Sequence, residues 1–241
     1  MIRLIKVSFG AQRPNRGIRQ VSLHVPRGTM GLIVGSMGAG KTLVLRLCAG
    51  WSLPEEGSVL IDGRDTKEMS GTQLRRLRRT MGIASMDLPL LDTHSVLDNV
   101  GAALEVRGIR QRAAVRAALR TLETLGVLSL ASARPPDLSS GERRLVALAR
   151  ATAARPPIVL ADGPLETLPP EYVSNAVDLL SDLVSAGSCV LMSSRSGAHV
   201  PEGARVWLLR DGTIGPYQEA ASQVGVHTSS LVEALLKGGW T

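Results

Sequence analysis

Residues 35–42 constrain the fold of this chain more than any other segment. They read Gly-Ser-Met-Gly-Ala-Gly-Lys-Thr, follow a short apolar run at 31–34, and lead into a helical pattern over 41–50. Glycines in such a loop let backbone N–H groups point inward at phosphate oxygens, and the N-terminus of the following helix adds partial positive charge. Strand, glycine-rich loop and helix together predict a P-loop that binds a nucleoside triphosphate.

The residue types in the loop predict separate roles. We expect Lys41 to reach the outer phosphates as a point charge and the Thr42 hydroxyl to ligate Mg²⁺. Asp162, at the end of an apolar strand over 158–161, is the expected second anchor for that metal. The predicted nucleotide contacts within the loop are Gly35, Ser36, Met37, Gly38, Ala39, Gly40, Lys41 and Thr42.

Composition argues against a direct role in nucleic-acid binding. The 241 residues carry a net charge of +7, which suits an anionic partner, but only 2% are aromatic. Binding of single strands relies on aromatic side chains that stack on bases. Because arginines are spread along the chain, an anionic nucleotide or an acidic protein surface accounts for the charge.

Two further patterns bear on location. Cys48 and Cys189 lie in apolar runs without metal-ligand spacing, as expected for small buried side chains in a reducing compartment. The N-terminus alternates apolar and basic residues, which predicts a strand and not a signal peptide. No run approaches the ~18 apolar residues of a membrane span. We therefore expect a cytoplasmic protein that reaches the inner face of the membrane through a partner.

Strands alternate with helical segments along the chain, which predicts an α/β fold with a mainly parallel sheet. An antiparallel pair is expected at 2–9 and 19–26, and residues 93–131 have the pattern of an inserted helical region. Either Ser139 or Ser140 is expected to cap a helix that starts at Gly141. The other predicted segments are helices at 71–79, 141–154 and 171–186 and strands at 58–63, 158–161, 188–193, 204–210 and 213–217.

A family resemblance rests on Leu138-Ser139-Ser140-Gly141-Glu142, followed some twenty residues later by Val159-Leu160-Ala161-Asp162. This arrangement resembles the signature motif and metal strand of ATP-binding-cassette (ABC) subunits. The resemblance implies one nucleotide-binding domain over 1–241, with an N-terminal antiparallel β-subdomain. Its core would comprise 1–86 and 155–241, and a helical subdomain would span 87–154.

Met81-Gly82-Ile83 and Ser95-Val96-Leu97-Asp98-Asn99-Val100 are similar to one branch of that family, which holds cell-division, lipoprotein-release and macrolide-export ATP-binding proteins. The resemblance implies a dimer in which ATP and Mg²⁺ lie between one subunit's P-loop and the other's signature. The implied signature contacts are Ser139, Ser140, Gly141 and Glu142. Alternatively, these residues only form the capped start of an ordinary helix.

Four positions depart from the family pattern. Gly163 stands where the family has a water-polarising Glu, and loss of a general base typically costs ~100- to ~10,000-fold in rate. Met86 replaces a Gln, and its thioether is a poor ligand for Mg²⁺. Arg195 replaces the switch His and cannot accept a proton. Pro169 replaces an Asp at the dimer interface. Together they predict a site that binds ATP and hydrolyses it poorly or not at all.

Substitutes for the missing groups are conceivable. Asp87 or Glu166 could replace a lost contact, but each side chain would have to move by several ångströms, and ~1 Å of misplacement costs about 100-fold. The family's adenine-stacking aromatic would fall near Ala11. Phe9 is two residues earlier, so it lies on the same face of the strand and is a candidate substitute.

The leading hypothesis is an ATP-binding subunit in which ATP closes a homodimer or heterodimer and a membrane permease reads the closure. The surface built by residues 86–110 is the predicted permease contact. Two alternatives stay open at this point. The chain could be the silent half of a heterodimer that completes a catalytic partner, or a working ATPase in which Arg195 stabilises transition-state charge.

Overall fold

The structure is a computed structural model that describes residues 1–10, 17–85, 88–196, 203–215 and 218–219. Within these ranges, no helix has the length and hydropathy needed to cross a membrane. The strands are β1 (Ile2–Phe9), β2 (Ile18–Val25), β3 (Met30–Val34), β4 (Glu56–Ile61), β5 (Arg64–Asp65), β6 (Met81–Ala84), β7 (Ile158–Asp162), β8 (Cys189–Ser194), β9 (Arg205–Arg210), β10 (Thr213–Ile214) and β11 (Gln218–Glu219). The helices are α1 (Lys41–Cys48), α2 (Gly71–Thr80), α3 (Val96–Glu105), α4 (Gln111–Thr124), α5 (Ser140–Thr152) and α6 (Pro170–Ser185).

The central sheet has the strand order β10-β9-β3-β8-β7-β6, and β11 also pairs with β9. Strands β9, β3, β8, β7 and β6 are parallel, so their carboxyl ends meet at one edge. Asp162 at the end of β7 pairs with Ser193 near the end of β8, and β3 ends at Val34 just before the P-loop. Ligands of open α/β sheets bind at such an edge.

The second sheet is antiparallel and has the order β2-β1-β4-β5. Its strands alternate buried and exposed residues, as β2 shows from Ile18 to Val25. This is the pattern of a sheet with one buried face. The predicted N-terminal antiparallel pair is confirmed, with β4 as a further partner of β1.

Two hydrophobic cores cover the two faces of the central sheet. In β7, Val159 and Ala161 face the core shared with α3, α4, α5 and α6, whereas Ile158 and Leu160 face the core shared with α1 and the antiparallel sheet. Successive side chains of a strand point to opposite faces, so a strand covered on both sides is apolar throughout. This explains why β7 carries no polar residue before Asp162.

The α/β class with a mainly parallel sheet is confirmed, and several details differ from the expectations. The region 93–131 contains two helices, α3 and α4, and α3 begins with a capping box formed by Ser95 and Asp98. The cap of α5 is Ser139; Ser140 is the first residue of the helix, so the alternative cap is wrong. Strand β6 was not predicted, and residues 216–217 of the last predicted strand lie outside the described ranges.

Both cysteines are buried, as expected. Burial raises the pKa of the Cys189 thiol to about 11 and raises that of Cys48 further. Neither thiol therefore has the depressed pKa of a reactive cysteine.

Candidate functional site

The P-loop joins β3 to α1. Gly40 precedes the helix with φ of 106°, a left-handed conformation that favours glycine, and no side chain caps the first turn. The Lys41 ammonium lies back over the loop and donates to the carbonyls of Gly35 at 2.6 Å and Ser36 at 2.9 Å. Burial lowers the pKa of Lys41, and the charges of Glu166 and Asp162 partly oppose that shift. The loop thus combines an uncapped helix start with a lysine held beside it.

A candidate metal site, called the metal corner below, lies where Thr42 of α1 meets Asp162 of β7. The Thr42 hydroxyl donates to Asp162 Oδ2 at 2.7 Å, although the two residues are 120 positions apart. Ser193 donates to the other carboxylate oxygen, Oδ1, at 2.5 Å. A hydroxyl and a carboxylate are hard oxygen ligands, and Mg²⁺ typically takes one or two carboxylates plus phosphate oxygens and water. Thr42 and Asp162 therefore fit Mg²⁺ held jointly with a nucleotide.

Other metal chemistry finds no support in the described ranges. Among those residues, no group of three or more His, Cys, Asp or Glu side chains converges on one point. A site made by the protein alone would need such a set. The residues present suit a metal that arrives with phosphates.

Gly163 makes a tight turn directly after the metal strand. Its φ is 56°, its N–H donates to Ser193 Oγ at 2.9 Å, and its carbonyl accepts from Arg144 Nη1 at 2.7 Å. A Cβ placed on Gly163 would lie 3.0 Å from Glu166 Cδ and 3.2 Å from Arg144 Nη1. A side chain at position 163 is therefore disfavoured both by backbone conformation and by the neighbouring groups.

Glu166 lies in the cleft and is paired with Arg195. Its Oε2 is 2.7 Å from Arg195 Nε, and its Oε1 accepts from the Arg195 backbone N–H at 2.9 Å. The expectation that Glu166 would have to move by several ångströms to reach the site is wrong. The short loop between Asp162 and Glu166 turns at Gly163 and brings the carboxylate back over the glycine.

These residues line one cleft of about 490 Å³. Asp162 and Glu166 are its carboxylates within the part of the chain that is described, and every carboxylate oxygen accepts a hydrogen bond or ion pair. The lining residues are Met37, Gly38, Gly40, Lys41, Thr42, Leu43, Arg46, Arg144, Asp162, Gly163, Glu166, Ser193 and Arg195. Four cationic side chains, Lys41, Arg46, Arg144 and Arg195, line the cleft together with these two carboxylates.

The segment 139–142 lies outside this cleft. Ser139 Oγ accepts from the Glu142 N–H at 3.3 Å, and Glu142 accepts from the Ser139 N–H at 2.7 Å, which completes a capping box. Ser140 is exposed, while Gly141 is buried against the segment 167–169. The structure therefore does not bring this helix start together with the P-loop of the same chain.

Comparison with known proteins decides the family. The sequence pattern described as "ABC transporter" matches residues 18–166, more than half of the chain. The chain belongs to the ABC transporter family. The resemblance inferred from its motifs is confirmed.

Two curated relatives of this ABC chain illustrate the match. It is 37% identical over 166 residues to the methionine import ATP-binding protein MetN of Thermobifida fusca, covering 69% of this chain and 52% of that protein. It is 34% identical over 185 residues to the cell division ATP-binding protein FtsE of Mycobacterium tuberculosis, covering 77% and 80%. The chain thus spans about half the length of the MetN relatives it matches.

Solved structures agree with the ABC cassette fold. A dimeric structure of the ATP-binding cassette MJ0796 in a post-hydrolysis state, bound to ADP and Pi, has a TM-score of 0.81 at 26% identity and covers 92% of this chain and 100% of its own. Another structure, of the ATP-binding subunit of an ABC transporter, has a TM-score of 0.79 at 19% identity and supports the fold alone.

The roles expected of several further residues of the ABC site remain predictions. Phe9 is half-buried and packs on the core beneath the antiparallel sheet; it does not line the cleft. Met86 and Asp87 lie outside the described residues, as does Ala11. Pro169 is the N-cap position of α6 and lies beside Gly141, 3.5 Å from where a Cβ of that glycine would be.

Four lining residues of the cleft were missed from the sequence, namely Leu43, Arg46, Arg144 and Ser193. Ser193 holds Asp162 and the Gly163 N–H, and Arg144 holds the Gly163 carbonyl. The parallel pairing of β7 with β8 would have pointed to Ser193, because the carboxyl ends of neighbouring strands share one edge. No sequence pattern points to Arg144, which lies in α5 two residues after Glu142 of the capping box.

Proposed function

We propose that this chain is the ATP-binding subunit of an ABC-type membrane complex of the cell-division or export kind. Mg²⁺-ATP binds the P-loop cleft, holds two cassettes together, and so signals to a permease. Hydrolysis is impaired. ATP acts mainly as a conformational ligand in this account.

The binding half of the proposal is supported by the metal corner. Lys41 and the uncapped start of α1 supply positive charge for phosphates, and Thr42 and Asp162 are already 2.7 Å apart. Thr42 and Asp162 would hold Mg²⁺ there, and the ion would supply positive charge against the phosphates. Ser193 fixes the orientation of the Asp162 carboxylate.

The single observation that carries the impaired-hydrolysis half is Gly163, which directly follows Asp162 and has no side chain to act as a general base. Asp162 accepts hydrogen bonds from Thr42 and Ser193 at the metal corner, and Glu166 is ion-paired with Arg195. Among the described residues of the cleft, no carboxylate therefore stands next to Asp162, where the family's general base is expected.

Nucleotide binding and phosphate release test the two halves separately. The purified chain should bind Mg²⁺-ATP and associate with a second cassette when ATP is added, and Lys41→Ala should lose both. Phosphate release should equal that of the Lys41→Ala control. Release well above the control would identify a working ATPase and overturn the impaired-hydrolysis half, whereas ATP-independent assembly would overturn the role of ATP.

The permease contact is proposed on the groove of about 560 Å³ between α2, β6 and α3. Its apolar surface includes Leu91, 49% exposed, and Val106, 66% exposed. Arginines surround it. Within the described part of the chain, their hydrogen bonds go to backbone carbonyls or to Thr72 and not to carboxylates. The lining arginines are Arg75, Arg78, Arg79, Arg107 and Arg150.

Arginine charges without a carboxylate partner favour an acidic ligand. Arg150 donates to the Pro89 carbonyl at 2.9 Å, and Arg107 donates to the Arg79 carbonyl at 2.8 Å, so both are held in place beside the groove. An amphipathic helix with an apolar face and acidic flanks suits this surface. We take such a helix, from a membrane permease, as the partner.

A heterodimer is the second candidate. Ser140 is exposed at the start of α5, outside the chain's own cleft, so it is available to complete the cleft of another cassette. A catalytic partner would then hydrolyse ATP while this chain's cleft stays silent. Ser140→Arg in this chain should abolish turnover by such a partner, and unchanged turnover would contradict the candidate.

A further inference from the structure

We infer that Glu166 determines how strongly this cleft prefers a triphosphate over a diphosphate, because it competes with the third phosphate for Arg195. The inference rests on the proposed ATP binding and adds a specificity-determining residue to it. In the structure, Glu166 keeps both of its oxygens on Arg195. A nucleotide with a third phosphate offers Arg195 a stronger anion.

The position of the pair identifies which end of a nucleotide it meets. Thr42 and Asp162 mark the metal corner, and a metal held there would accompany the outer phosphates of a nucleotide. Glu166 and Arg195 both line the cleft on the side of Asp162. Glu166 is four residues after Asp162, and Arg195 is two residues after Ser193, the partner of Asp162. The pair therefore faces the outermost phosphate and not the base or the ribose.

The glycine at 163 leaves room for Glu166. A Cβ there would lie 3.1 Å from Glu166 Oε2, closer than an ordinary van der Waals contact, so Glu166 would have to shift by a few tenths of an ångström to accommodate it. A glycine at position 163 therefore does more than remove a catalytic side chain. It leaves room for the carboxylate of Glu166, three positions later, to pair with Arg195 directly after β8.

Charge balance gives the direction of the effect. Glu166 is only 19% exposed, and its charge acts on the buried Lys41. A third phosphate near an unmoved Glu166 would experience like-charge repulsion in a partly desolvated cleft. Glu166 must therefore release Arg195, which is suited to phosphate because its guanidinium can donate two parallel hydrogen bonds. Only a triphosphate both requires this exchange and gains from it.

The test compares Mg²⁺-ATP and Mg²⁺-ADP affinities by titration calorimetry for the wild type, Glu166→Gln and Arg195→Gln. Glutamine keeps the size of Glu166 but removes its charge, so ATP should bind at least ~10-fold more tightly while ADP changes by less than ~3-fold. Arg195→Gln should weaken ATP by about tenfold or more and leave ADP nearly unchanged. Asp178→Asn, which removes an exposed carboxylate from α6, should change neither affinity.

The double variant Glu166→Gln/Arg195→Gln isolates the coupling. If Glu166 acts through Arg195, its substitution should have a much smaller effect in the Arg195→Gln background. Equal changes for ATP and ADP, or weaker ATP binding by Glu166→Gln, would overturn the inference while leaving the proposed ATP binding intact. A wild-type chain that binds no ATP would overturn both.

Discussion

Glu166 occupies the space beside Gly163 that a side chain on the glycine would enter: a Cβ at Gly163 would lie 3.0 Å from Glu166 Cδ. Gly163, which directly follows Asp162, is therefore part of the packing that positions Glu166. The Arg144 hydrogen bond to the Gly163 carbonyl and the Ser193 hydrogen bond to its N–H hold the same turn.

Gly163→Ala should destabilise the protein more than Gly203→Ala. Both glycines have a left-handed φ, 56° and 70°, but only Gly163 has groups within 4 Å of an added Cβ. The backbone penalty of roughly 1–2 kcal/mol is similar for both, so the difference in melting temperature reports the contact with Glu166 and Arg144. In a Glu166→Ser background that difference should shrink. Equal losses in the wild-type background would contradict the contact.

Gly163→Glu should not restore hydrolysis. The new side chain would start in a strained conformation against Glu166, so the carboxylate would not take the position that the family's Glu is expected to have. Phosphate release should stay at the level of Lys41→Ala. A rise of 100-fold or more, the typical contribution of a general base, would show that the missing side chain alone limits turnover.

The metal corner predicts a magnesium-dependent defect. Mg²⁺ should strengthen ATP binding, and Thr42→Ala should make that strengthening smaller by about tenfold or more. The variant removes one of the two side chains that are expected to ligate the metal. Thr124→Ala, which removes an exposed hydroxyl bonded to the Arg120 carbonyl on α4, is the matched control. Titrations of ATP with Mg²⁺ and with EDTA distinguish the two. If Mg²⁺ strengthens ATP binding by Thr42→Ala as much as by the wild type, Thr42 is not a ligand of the metal.

At the start of α5, Ser139 is expected to stabilise the helix and Ser140 to contact a second cassette. Ser139→Ala should cost about 1 kcal/mol of unfolding free energy, because it removes the capping side chain. Ser140→Arg should leave stability within ~0.5 kcal/mol, since Ser140 is exposed, but should abolish ATP-dependent association. Denaturant unfolding and sedimentation measure the two effects. If Ser140→Arg still associates when ATP is added, this segment is only the capped start of a helix and not part of an interface.

The groove predicts where a permease binds. Val106→Glu should weaken association with the permease by at least tenfold, because it places a charge in the apolar contact and among partners that are expected to be acidic. Leu128→Glu makes the same change at another exposed aliphatic side chain, 41% exposed and outside the groove, and should have no effect. Equal losses by the two variants would exclude the groove as the contact.

The sequence predicted the parts of the site that are contiguous or tied to a strand end. The P-loop and Asp162 were found because phosphates require backbone N–H groups at a helix start and the metal requires a carboxylate at the end of a strand. Ser193, Arg144 and the placement of Glu166 depend on strand pairing and on the turn at Gly163. Such contacts between distant residues leave no local pattern. Strand β6, only four residues long, was missed for a related reason: it is defined by its pairing with β7.

ATP binding and phosphate release, measured side by side on the purified chain together with the proposed permease partner, decide whether ATP is a ligand or a substrate here. We expect saturable Mg²⁺-ATP binding that Lys41→Ala abolishes, together with phosphate release no faster than in that variant. Phosphate release clearly above the Lys41→Ala level, and lost in Glu166→Gln, would contradict this expectation by showing that Glu166 serves as the base of a working ATPase.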